Sequence, residues 1–254
     1  MAILVGSEFF TITRVLQALN TIHYFPPYCQ SVGSIDIGSA AFELSNHRAP
    51  TGTWQLLSIL ERVLAGALLL LVLPILFAAS VVIVGLSRRS PFIAHQRIGL
   101  GGQLIWVVKL RTMWSNDAGK GVAFIHRLSP SEAPLLAPSE KHLRVTSRFA
   151  AFCRRYSVDE LPQLWHVVQG DMSLVGPRPL TKQELDEYYG SDAAHILTAK
   201  PGLSGLWQVS GRSRLSYGQR RRLDLLLVRK SSIPLYLRIL VATVPRVLAG
   251  KDAW

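Results

Sequence analysis

The hydropathy pattern is dominated by one uncharged apolar run between Arg62 and Arg88, which reads VLAGALLLLVLPILFAASVVIVGLS. A straight helix of that length is about 37 Å long, which exceeds the hydrocarbon core of a bilayer at about 30 Å. Pro74 lies in the middle of the run, where a proline removes a backbone hydrogen bond and clashes with the preceding turn. The pattern therefore predicts a membrane segment that is either a kinked span or a helix-break-helix entering and leaving by the same face.

Basic residues flank both ends of this segment, with Arg62 before it and Arg88 and Arg89 after it. Because lysine and arginine favour the cytoplasmic side of a membrane, the flanks favour a re-entrant path with both ends on that side. Arginine side chains also reach the interface from either end of a true span, so the charges alone leave both paths open.

Strand-like residues follow the membrane segment, in the stretch PFIAHQRIGLGGQLIWVVKLRTM. Gly99, Gly101 and Gly102 separate two runs there, and glycine permits the positive φ angles that tight turns need. We predict a β-hairpin for this stretch. Residues 115–145 are polar and contain prolines, which predicts a loop with one short helix at most.

The chain divides into three regions on this pattern. Residues 1–50 carry no sustained period and are interrupted by Pro, Gly and Ser, so they predict a loosely ordered N-terminal extension. Residues 51–90 hold the membrane segment, and residues 91–254 form a globular domain. The mixture of helical and strand patterns predicts an α-rich α+β fold that ends in C-terminal amphipathic helices.

A further helix is predicted within the stretch RRYSVDELPQLWHVVQGDMSLVGPRP. Apolar residues recur there at helical spacing: Leu161, Leu164, Trp165 and Val168. With Asp159 as the N-cap residue, Pro162 falls at the third helical position, where a missing N–H costs nothing, and Gly170 ends the helix. Asp159 and Glu160 are then expected at the positive end of this helix, shortly after Arg154.

The adjacent carboxylates have a structural and a chemical interpretation. They can cap the helix and pair with Arg154, which is a common arrangement. A helix N-terminus with arginines and hard oxygen ligands is also a site for phosphate and Mg²⁺. In that case Asp159 is a candidate nucleophile toward phosphorus, and Glu160 is a candidate ligand of a metal that neutralises a diphosphate.

Two loops rich in glycine and proline follow. The loop GDMSLVGPRP presents Arg178, and the loop KPGLSGLWQVSGR presents Lys200 and Arg212. Either loop alone is an ordinary turn, but two rigid loops with three cations predict anion binding. The later stretches RLDLLLVRK and SSIPLYLRILVATVPRVLAGKDAW predict apolar helices with interspersed arginines, which serve either as core or as a face on anionic lipid.

Composition narrows the classes of function. The formal net charge of +12 predicts a polyanionic partner, which can be nucleic acid, an anionic membrane surface or a phosphorylated substrate. Cys29 and Cys153 are the only cysteines, so neither a disulfide framework nor a cysteine-ligated zinc site is supported. A nucleic-acid-binding protein is disfavoured because basic and aromatic residues are not interleaved in a recognisable module. A non-catalytic membrane scaffold explains the apolar segment but not the carboxylate pair beside arginines.

From about Gln55 to Trp254 the chain resembles the bacterial sugar transferases, also called monotopic phosphoglycosyl transferases. The motifs that carry the resemblance are KLRTM, RRYSVDELPQLWHVVQGDMSLVGPRPL, KPGLSGLWQVSGR and LDLLLVRK, in the family's order and spacing behind a proline-broken apolar segment. The resemblance implies transfer of a sugar 1-phosphate from a nucleotide diphosphate sugar to a polyprenyl phosphate, here undecaprenyl phosphate, with release of the nucleoside monophosphate. It also implies a re-entrant membrane helix that turns at Pro74.

The resemblance assigns functional residues position by position. The family's Asp-Glu dyad falls on Asp159 and Glu160, and its preceding arginine falls on Arg154. The resemblance further assigns substrate or phosphate binding to Lys109, Arg111, Arg212 and Asp224. Arg178 and Lys200, predicted from the two loops, complete the expected binding residues. Because the dyad offers oxygen ligands, we expect Mg²⁺ as the cofactor, with Glu160 as its ligand.

Three positions depart from the family pattern. Tyr236 and His166 stand where relatives often have an acidic residue and an asparagine. Ala65 replaces an aspartate that is common near the start of the membrane helix. Tyr236 puts a metal or polar contact at the last helix in doubt.

The GLWQVSGR motif and the VLAGKDAW tail are closest to the exopolysaccharide-priming branch of the family, which implies galactose or glucose as the sugar. The implied location is the bacterial inner membrane, with a catalytic domain at residues 91–254 facing the cytoplasm. The expected partners are membrane lipid, the lipid phosphate, the nucleotide sugar, a second copy of the chain and downstream glycosyltransferases, without nucleic acid.

Overall fold

The computed structural model describes residues 52–113, 125–128 and 147–250. The predicted N-terminal extension and most of the predicted loop at residues 115–145 lie outside these ranges. The described α-helices are α1 (Gly52–Ser87), α2 (Arg148–Arg155), α3 (Leu164–Gln169), α4 (Lys182–Tyr188), α5 (Ala193–Ile196), α6 (Leu206–Ser210), α7 (Tyr217–Arg229) and α8 (Ile233–Ala249). The described strands are β1 (Phe92–Ile98), β2 (Leu104–Leu110), β3 (Ile125–Leu128), β4 (Ser173–Val175) and β5 (Gly202–Ser204). This is a helix-rich fold with small sheets, as the sequence predicted.

Helix α1 contains the predicted membrane segment and has the length and apolar composition needed to cross a bilayer. One face is buried, through Glu61, Ala65, Leu76, Ala79, Ser80 and Ile83. Much of the remaining surface is apolar and exposed, including Leu70 at 71% and Leu71 at 72%. Exposed apolar surface on this scale is typical of a membrane-associated helix rather than one that faces water.

The helix continues through Pro74 without interruption, which differs from the predicted helix-break-helix. Proline removes one hydrogen-bond donor, but the turns on either side keep theirs, so the helical conformation persists across it. Before Pro74, Ala65 packs in a cluster with Leu164 of α3. After Pro74, Ile83 packs in a cluster with Leu110 of β2. The globular domain therefore contacts α1 on both sides of the proline.

The predicted hairpin is present as the antiparallel pair β1–β2, in which His95 lies opposite Val107. Gly101 and Gly102 have φ angles of 64° and 84° in the connection, a region that favours glycine. Strand β3, which the sequence did not predict, pairs in parallel with β1 and gives the strand order β2-β1-β3. A separate pair of parallel strands joins β4 to β5.

The carboxylate pair lies on a 3₁₀ turn, Val158–Gln163, that leads into α3. Ser157 precedes this turn with a left-handed φ of 57°, so the predicted N-cap position of Asp159 is wrong. Asp159 and Glu160 lie inside the first turn of the 3₁₀ segment instead. Pro162 explains the difference, because a proline disfavours the α conformation in the residue before it, and the α-helix begins only after it.

The C-terminal helices α7 and α8 are both present. The exposed large apolar residues of α8 lie three or four positions apart and are 48–71% exposed: Leu237, Val241, Val244 and Leu248. On the other side of α8, Tyr236 and Ile239 are buried. The two interpretations of this helix, as core and as a face toward lipid, therefore apply to opposite sides of it.

Candidate active site

The predicted dyad packs against the end of β2. Lys109, the next-to-last residue of that strand, donates from Nζ to Glu160 Oε1 at 2.7 Å. The side chains of Lys109 and Glu160 keep 20% and 28% of their surface exposed, so a ligand can reach the pair from solvent. Asp159 is the neighbour of Glu160 on the same 3₁₀ turn.

Three arginines add positive charge around the dyad. Arg178 and Arg212 act electrostatically on Glu160. Arg154, in the last turn of α2, interacts with both carboxylates. Its buried Nε has no hydrogen-bond partner among the described residues. Lys109 and these arginines are four of the cations that the sequence predicted, and the structure brings them to one place.

Two glycines bring the loops of Arg178 and Arg212 together. Gly176 follows β4 and Gly202 opens β5, and the two backbones are in direct contact. A Cβ atom on either glycine would collide with the backbone of the other loop, so only glycine permits this approach. Because β4 and β5 are parallel, the segments that follow them leave from the same edge.

The surroundings give the two carboxyl groups different pKa values. Burial and the neighbouring Glu160 raise the pKa of Asp159 to about 6, although Lys109 and Arg154 oppose the rise. Burial also acts to raise the pKa of Glu160, but Lys109, Arg178 and Arg212 outweigh it and hold that pKa below its ordinary value. Glu160 is therefore ionised across the physiological range, whereas Asp159 gains its charge near pH 6.

Two of the predicted phosphate-binding cations are not placed at the dyad in this way. The Arg111 guanidinium donates from Nε to the Ser90 carbonyl at 2.8 Å, which ties the end of β2 to the segment that follows α1. Lys200 lies among the charges of Arg62, Glu61 and Asp171. The role of Lys200 in phosphate binding stays a prediction, at a position near the charges of α1.

Two residues of β1, His95 and Arg97, lie beside these cations and were missed in the sequence. Burial and the nearby Arg97 and Lys109 lower the pKa of His95 to about 4, so this imidazole is neutral at physiological pH. Burial and Arg178 lower the pKa of Arg97 to about 10, and Arg97 pairs with Glu184 at 3.4 Å. The sequence could have shown that His95 and Arg97 lie side by side, because alternate residues of a predicted strand share one face.

Asp224 lies apart from the dyad, in a cleft that also contains Arg178. Its side chain is 1% exposed and accepts a hydrogen bond from the Tyr189 hydroxyl at 3.2 Å. Burial raises the pKa of Asp224 to about 7, although the bond from Tyr189 and the charge of Arg178 oppose the rise. Arg178 therefore links the dyad to this cleft.

The unusual Tyr236 makes a specific polar contact. Its hydroxyl donates to Glu61 Oε2 of α1 at 2.6 Å. The same oxygen accepts from the Ser173 hydroxyl at 2.7 Å and from the Leu174 amide at 3.3 Å. Glu61 was missed in the sequence, although it is an acidic residue at the edge of the apolar run. This carboxylate joins the membrane helix to β4 and α8.

The other two departures are structural. His166 is buried, and its Nε2 accepts a hydrogen bond from the Val108 amide at 3.2 Å, which ties α3 to β2. Ala65 is fully buried in an apolar cluster with α3. The acidic group of α1 is therefore supplied one turn earlier, at Glu61.

Replacing Tyr236 with phenylalanine is expected to lower the free energy of unfolding by about 1–3 kcal/mol, because a buried hydrogen bond to a charged group is lost. Thermal unfolding in detergent micelles measures the effect. Tyr156→Phe is the matched control, since the Tyr156 hydroxyl has no hydrogen-bond partner in the described part of the chain. Equal melting temperatures for both variants would contradict a stabilising role for this contact.

The family model described as bacterial sugar transferase matches residues 53–250 of the chain. The chain belongs to the bacterial sugar transferase family. The family predicted from the sequence motifs is thereby confirmed, and with it the enzyme class.

Three members of the bacterial sugar transferase family have similar sequence identity to this chain. The exopolysaccharide production protein ExoY of Rhizobium meliloti is 37% identical over 196 residues, which cover 76% of this chain and 85% of ExoY. The UDP-galactose-lipid carrier transferase of Erwinia amylovora is 37% identical over 196 residues, 75% of this chain and 40% of that protein. The undecaprenyl-phosphate galactose phosphotransferase of Salmonella typhimurium is 38% identical over 165 residues, 63% of this chain and 34% of that protein. The chain thus spans most of ExoY but less than half of the other two, and ExoY supports the exopolysaccharide branch.

Proposed function

We propose that the protein transfers a hexose 1-phosphate, of galactose or glucose, from a UDP-sugar to undecaprenyl phosphate, as the first step of exopolysaccharide repeat-unit assembly. The observation that carries this proposal is the Asp159–Glu160 dyad surrounded by Lys109, Arg154, Arg178 and Arg212. Such a cluster suits a diphosphate, whose charge the cations neutralise. The names of the Erwinia and Salmonella relatives contain the same donor and lipid chemistry.

The proposed reaction has two displacements at phosphorus. A carboxylate oxygen of Asp159 attacks the sugar-bearing phosphorus, and the bond from that phosphorus to the UMP oxygen breaks, releasing UMP. A phosphate oxygen of the lipid then attacks the same phosphorus and breaks its bond to Asp159. The products are undecaprenyl-diphosphate hexose and the free carboxylate. Arg178 and Arg212, which both act on Glu160, are positioned to stabilise the charge that develops on the phosphoryl oxygens.

The donor set of the dyad fits a Mg²⁺ ion that is shared with the substrate. No cluster of three acidic, histidine or cysteine side chains occurs within the described ranges. Mg²⁺ commonly binds one or two carboxylates together with substrate phosphates and water, and this is the donor set that an ionised Glu160 beside Asp159 provides. We assign Glu160 as the ligand. The bound ion would supply positive charge that neutralises the diphosphate.

A product assay tests the proposed function. The purified full chain is incubated with undecaprenyl phosphate, Mg²⁺ and a panel of UDP-sugars, and both UMP and the lipid product are measured. UMP release that depends on the lipid phosphate is the expected result. The absence of UMP release with every UDP-sugar would favour a non-catalytic scaffold instead.

The reaction rate is expected to depend on pH through Asp159. Only the ionised carboxylate attacks phosphorus, and the pKa of Asp159 is raised to about 6. The value of kcat/KM should therefore be constant above pH 7 and fall about tenfold per pH unit well below pH 6. Because the dyad is coupled, the midpoint belongs to the pair. A rate that stays constant down to pH 4.5, with the protein still folded, would contradict this assignment.

We further propose that the continuous helix α1 bends at Pro74 when it is in the membrane and follows a re-entrant path, with Gln55 and Pro91 on the cytoplasmic side of the inner membrane. Packing of the globular domain against α1 on both sides of Pro74 supports this path, because a straight span would carry one half across the bilayer. The flanking arginines agree with it. The path would place the dyad near the headgroups, where the lipid phosphate meets the soluble nucleotide sugar.

Cysteine labelling tests the path of α1. Gln55→Cys and Arg88→Cys are made singly in a chain that lacks Cys29 and Cys153, and an impermeant maleimide is added to right-side-out and inverted vesicles. Both positions should react in the inverted vesicles alone. Labelling of the two positions from opposite sides would refute the re-entrant path and leave a kinked span.

A further inference from the structure

The cleft beside the dyad has hydrogen-bonding groups that the protein itself does not satisfy. Asp224 lines this cleft and uses Oδ2 to accept from Tyr189, while the backbone amide of Arg178 faces its carboxylate. Its Oδ1 has no hydrogen-bond partner among the described residues. Trp207 lines the same cleft, is 2% exposed, and its Nε1–H is also unpartnered there. Buried donors and acceptors are seldom left unpaired, so these two groups are free to bind a ligand.

The two unpaired groups require a ligand that has both hydrogen-bond donors and acceptors. Asp224 Oδ1 needs a hydrogen on the ligand, and Trp207 Nε1–H needs a lone pair. A sugar hydroxyl provides both, and adjacent hydroxyls of a hexose provide several of each. A nucleobase edge also carries donors and acceptors, so a further observation is needed to choose between them.

The aromatic faces of the cleft favour hydroxyls over a stacked base. Tyr217 has Tyr188 stacked at a centroid distance of 4.5 Å, and the Arg220 guanidinium lies over the ring at 5.3 Å. Trp207 has Arg220 at 4.9 Å and Arg178 at 5.9 Å from its ring centroid. The protein's own side chains therefore already contact the rings of Tyr217 and Trp207, whereas base recognition depends largely on a free ring face.

Arg178 sets the position of the ligand. It acts on Glu160 in the dyad and on Asp224 in the cleft. A diphosphate held at Arg178 is thus next to both, and a group attached to the phosphate can enter the cleft.

We propose that this cleft binds the hydroxyl groups of the hexose in the donor, with Asp224 accepting from one hydroxyl and Trp207 donating to a sugar oxygen. The inference rests on the proposed function, since it names the sugar-binding part of the same substrate. Asp224 and Trp207 are then specificity-determining residues, while the nucleoside lies outside the cleft.

Asp224→Asn tests the proposal directly. The Tyr189 hydroxyl still requires an acceptor, so the asparagine should direct its NH₂ group, a donor, toward the cleft. The KM for UDP-galactose should rise about 10- to 100-fold, the effect of losing a hydrogen bond to a charged group. The inhibition constant of UMP, which lacks the sugar, should be unchanged. Trp207→Phe keeps a ring under the arginines, removes only the N–H, and should raise the KM about 3- to 10-fold.

Arg229→Gln is the control on the same helix, because Arg229 is exposed and pairs with Asp192 away from the cleft. It should leave the KM and the UMP inhibition constant unchanged. A parallel loss of UMP affinity in Asp224→Asn and Trp207→Phe would show that the cleft holds the nucleoside and overturn the proposal. Unchanged KM values in both variants would also overturn it.

Calorimetric binding of UDP-galactose and of UMP separates this inference from the proposed function. If the wild-type chain forms no lipid product, the proposed function fails. Weaker UDP-galactose binding with intact UMP binding in Trp207→Phe would still support the cleft assignment. Equal UDP-galactose affinity in wild type and both variants would reject it. A melting temperature for each variant confirms that the compared proteins are folded.

Discussion

Asparagine in place of Asp159 is expected to reduce kcat about 10⁴-fold or more, the scale seen when a catalytic nucleophile is removed. An amide does not form the acyl phosphate that the proposed first displacement requires. UMP release from UDP-galactose in the presence of undecaprenyl phosphate measures the loss. Intact-mass analysis after incubation with the donor alone should show one added hexose phosphate in the wild type and none in the variant.

This variant should not lose stability. The folded-state pKa of Asp159 is raised to about 6 from an ordinary value near 3.8, so the folded protein binds the proton more tightly than the unfolded chain does. Ionisation of Asp159 therefore costs stability as the pH rises from about 4 through 6, and at pH 7.5 that cost is complete. A neutral asparagine removes the cost, and the melting temperature at pH 7.5 should equal or exceed that of the wild type.

Asp186→Asn is the matched control for this experiment, since Asp186 is an exposed carboxylate on α4. It should turn over at the wild-type rate. Activity of Asp159→Asn within tenfold of the wild type would remove Asp159 from the role of nucleophile. So would a hexose phosphate adduct on the variant protein.

Glutamine in place of Glu160 is expected to lower kcat/KM about 10²- to 10³-fold, the effect of deleting one electrostatic contact at a reacting centre. Two causes combine, because Lys109 loses its partner at 2.7 Å and the proposed Mg²⁺ loses its ligand. In the wild type, excess chelator should abolish UMP release and added Mg²⁺ should restore it. The variant should need a higher Mg²⁺ concentration for half-maximal rate.

The Mg²⁺ concentration dependence distinguishes metal binding from simple damage to the dyad. Lys109→Met removes the ion-pair partner but leaves the Glu160 carboxylate, so its rate should fall without the same loss of apparent Mg²⁺ affinity. Full activity of the wild type in excess chelator would refute the metal assignment. An identical Mg²⁺ dependence in wild type and Glu160→Gln would move the ligand role away from Glu160.

Local patterns were enough to predict several features of this protein. The uncharged run of α1, the turn at Gly101 and Gly102, and the end of α3 at Gly170 follow from residues that are close in sequence. Hydrophobic period and glycine conformation act over a few residues, so they can be seen without a fold. The contiguous motifs likewise predicted the family and the Asp159–Glu160 pair. The wrong N-cap position of Asp159 was also a local error. Pro162 is compatible both with the third position of an α-helix and with a 3₁₀ turn that precedes an α-helix.

Only the tertiary structure decided which charged side chains meet. Lys109 and Glu160 are 51 residues apart, and Glu61 and Tyr236 are 175 residues apart. Lys200, which has the same loop chemistry as Arg212, lies near the charges of Glu61 and Arg62 on α1 instead. The sequence by itself determined the long apolar helix, the family and the adjacent Asp159–Glu160 pair, because each is contained in continuous stretches of residues. Three features depend on how β2, the loop after β4 and α7 pack together: the Asp224 cleft, the Glu61 contact and the set of cations at the dyad. Charged residues follow no sequence period that would reveal such contacts.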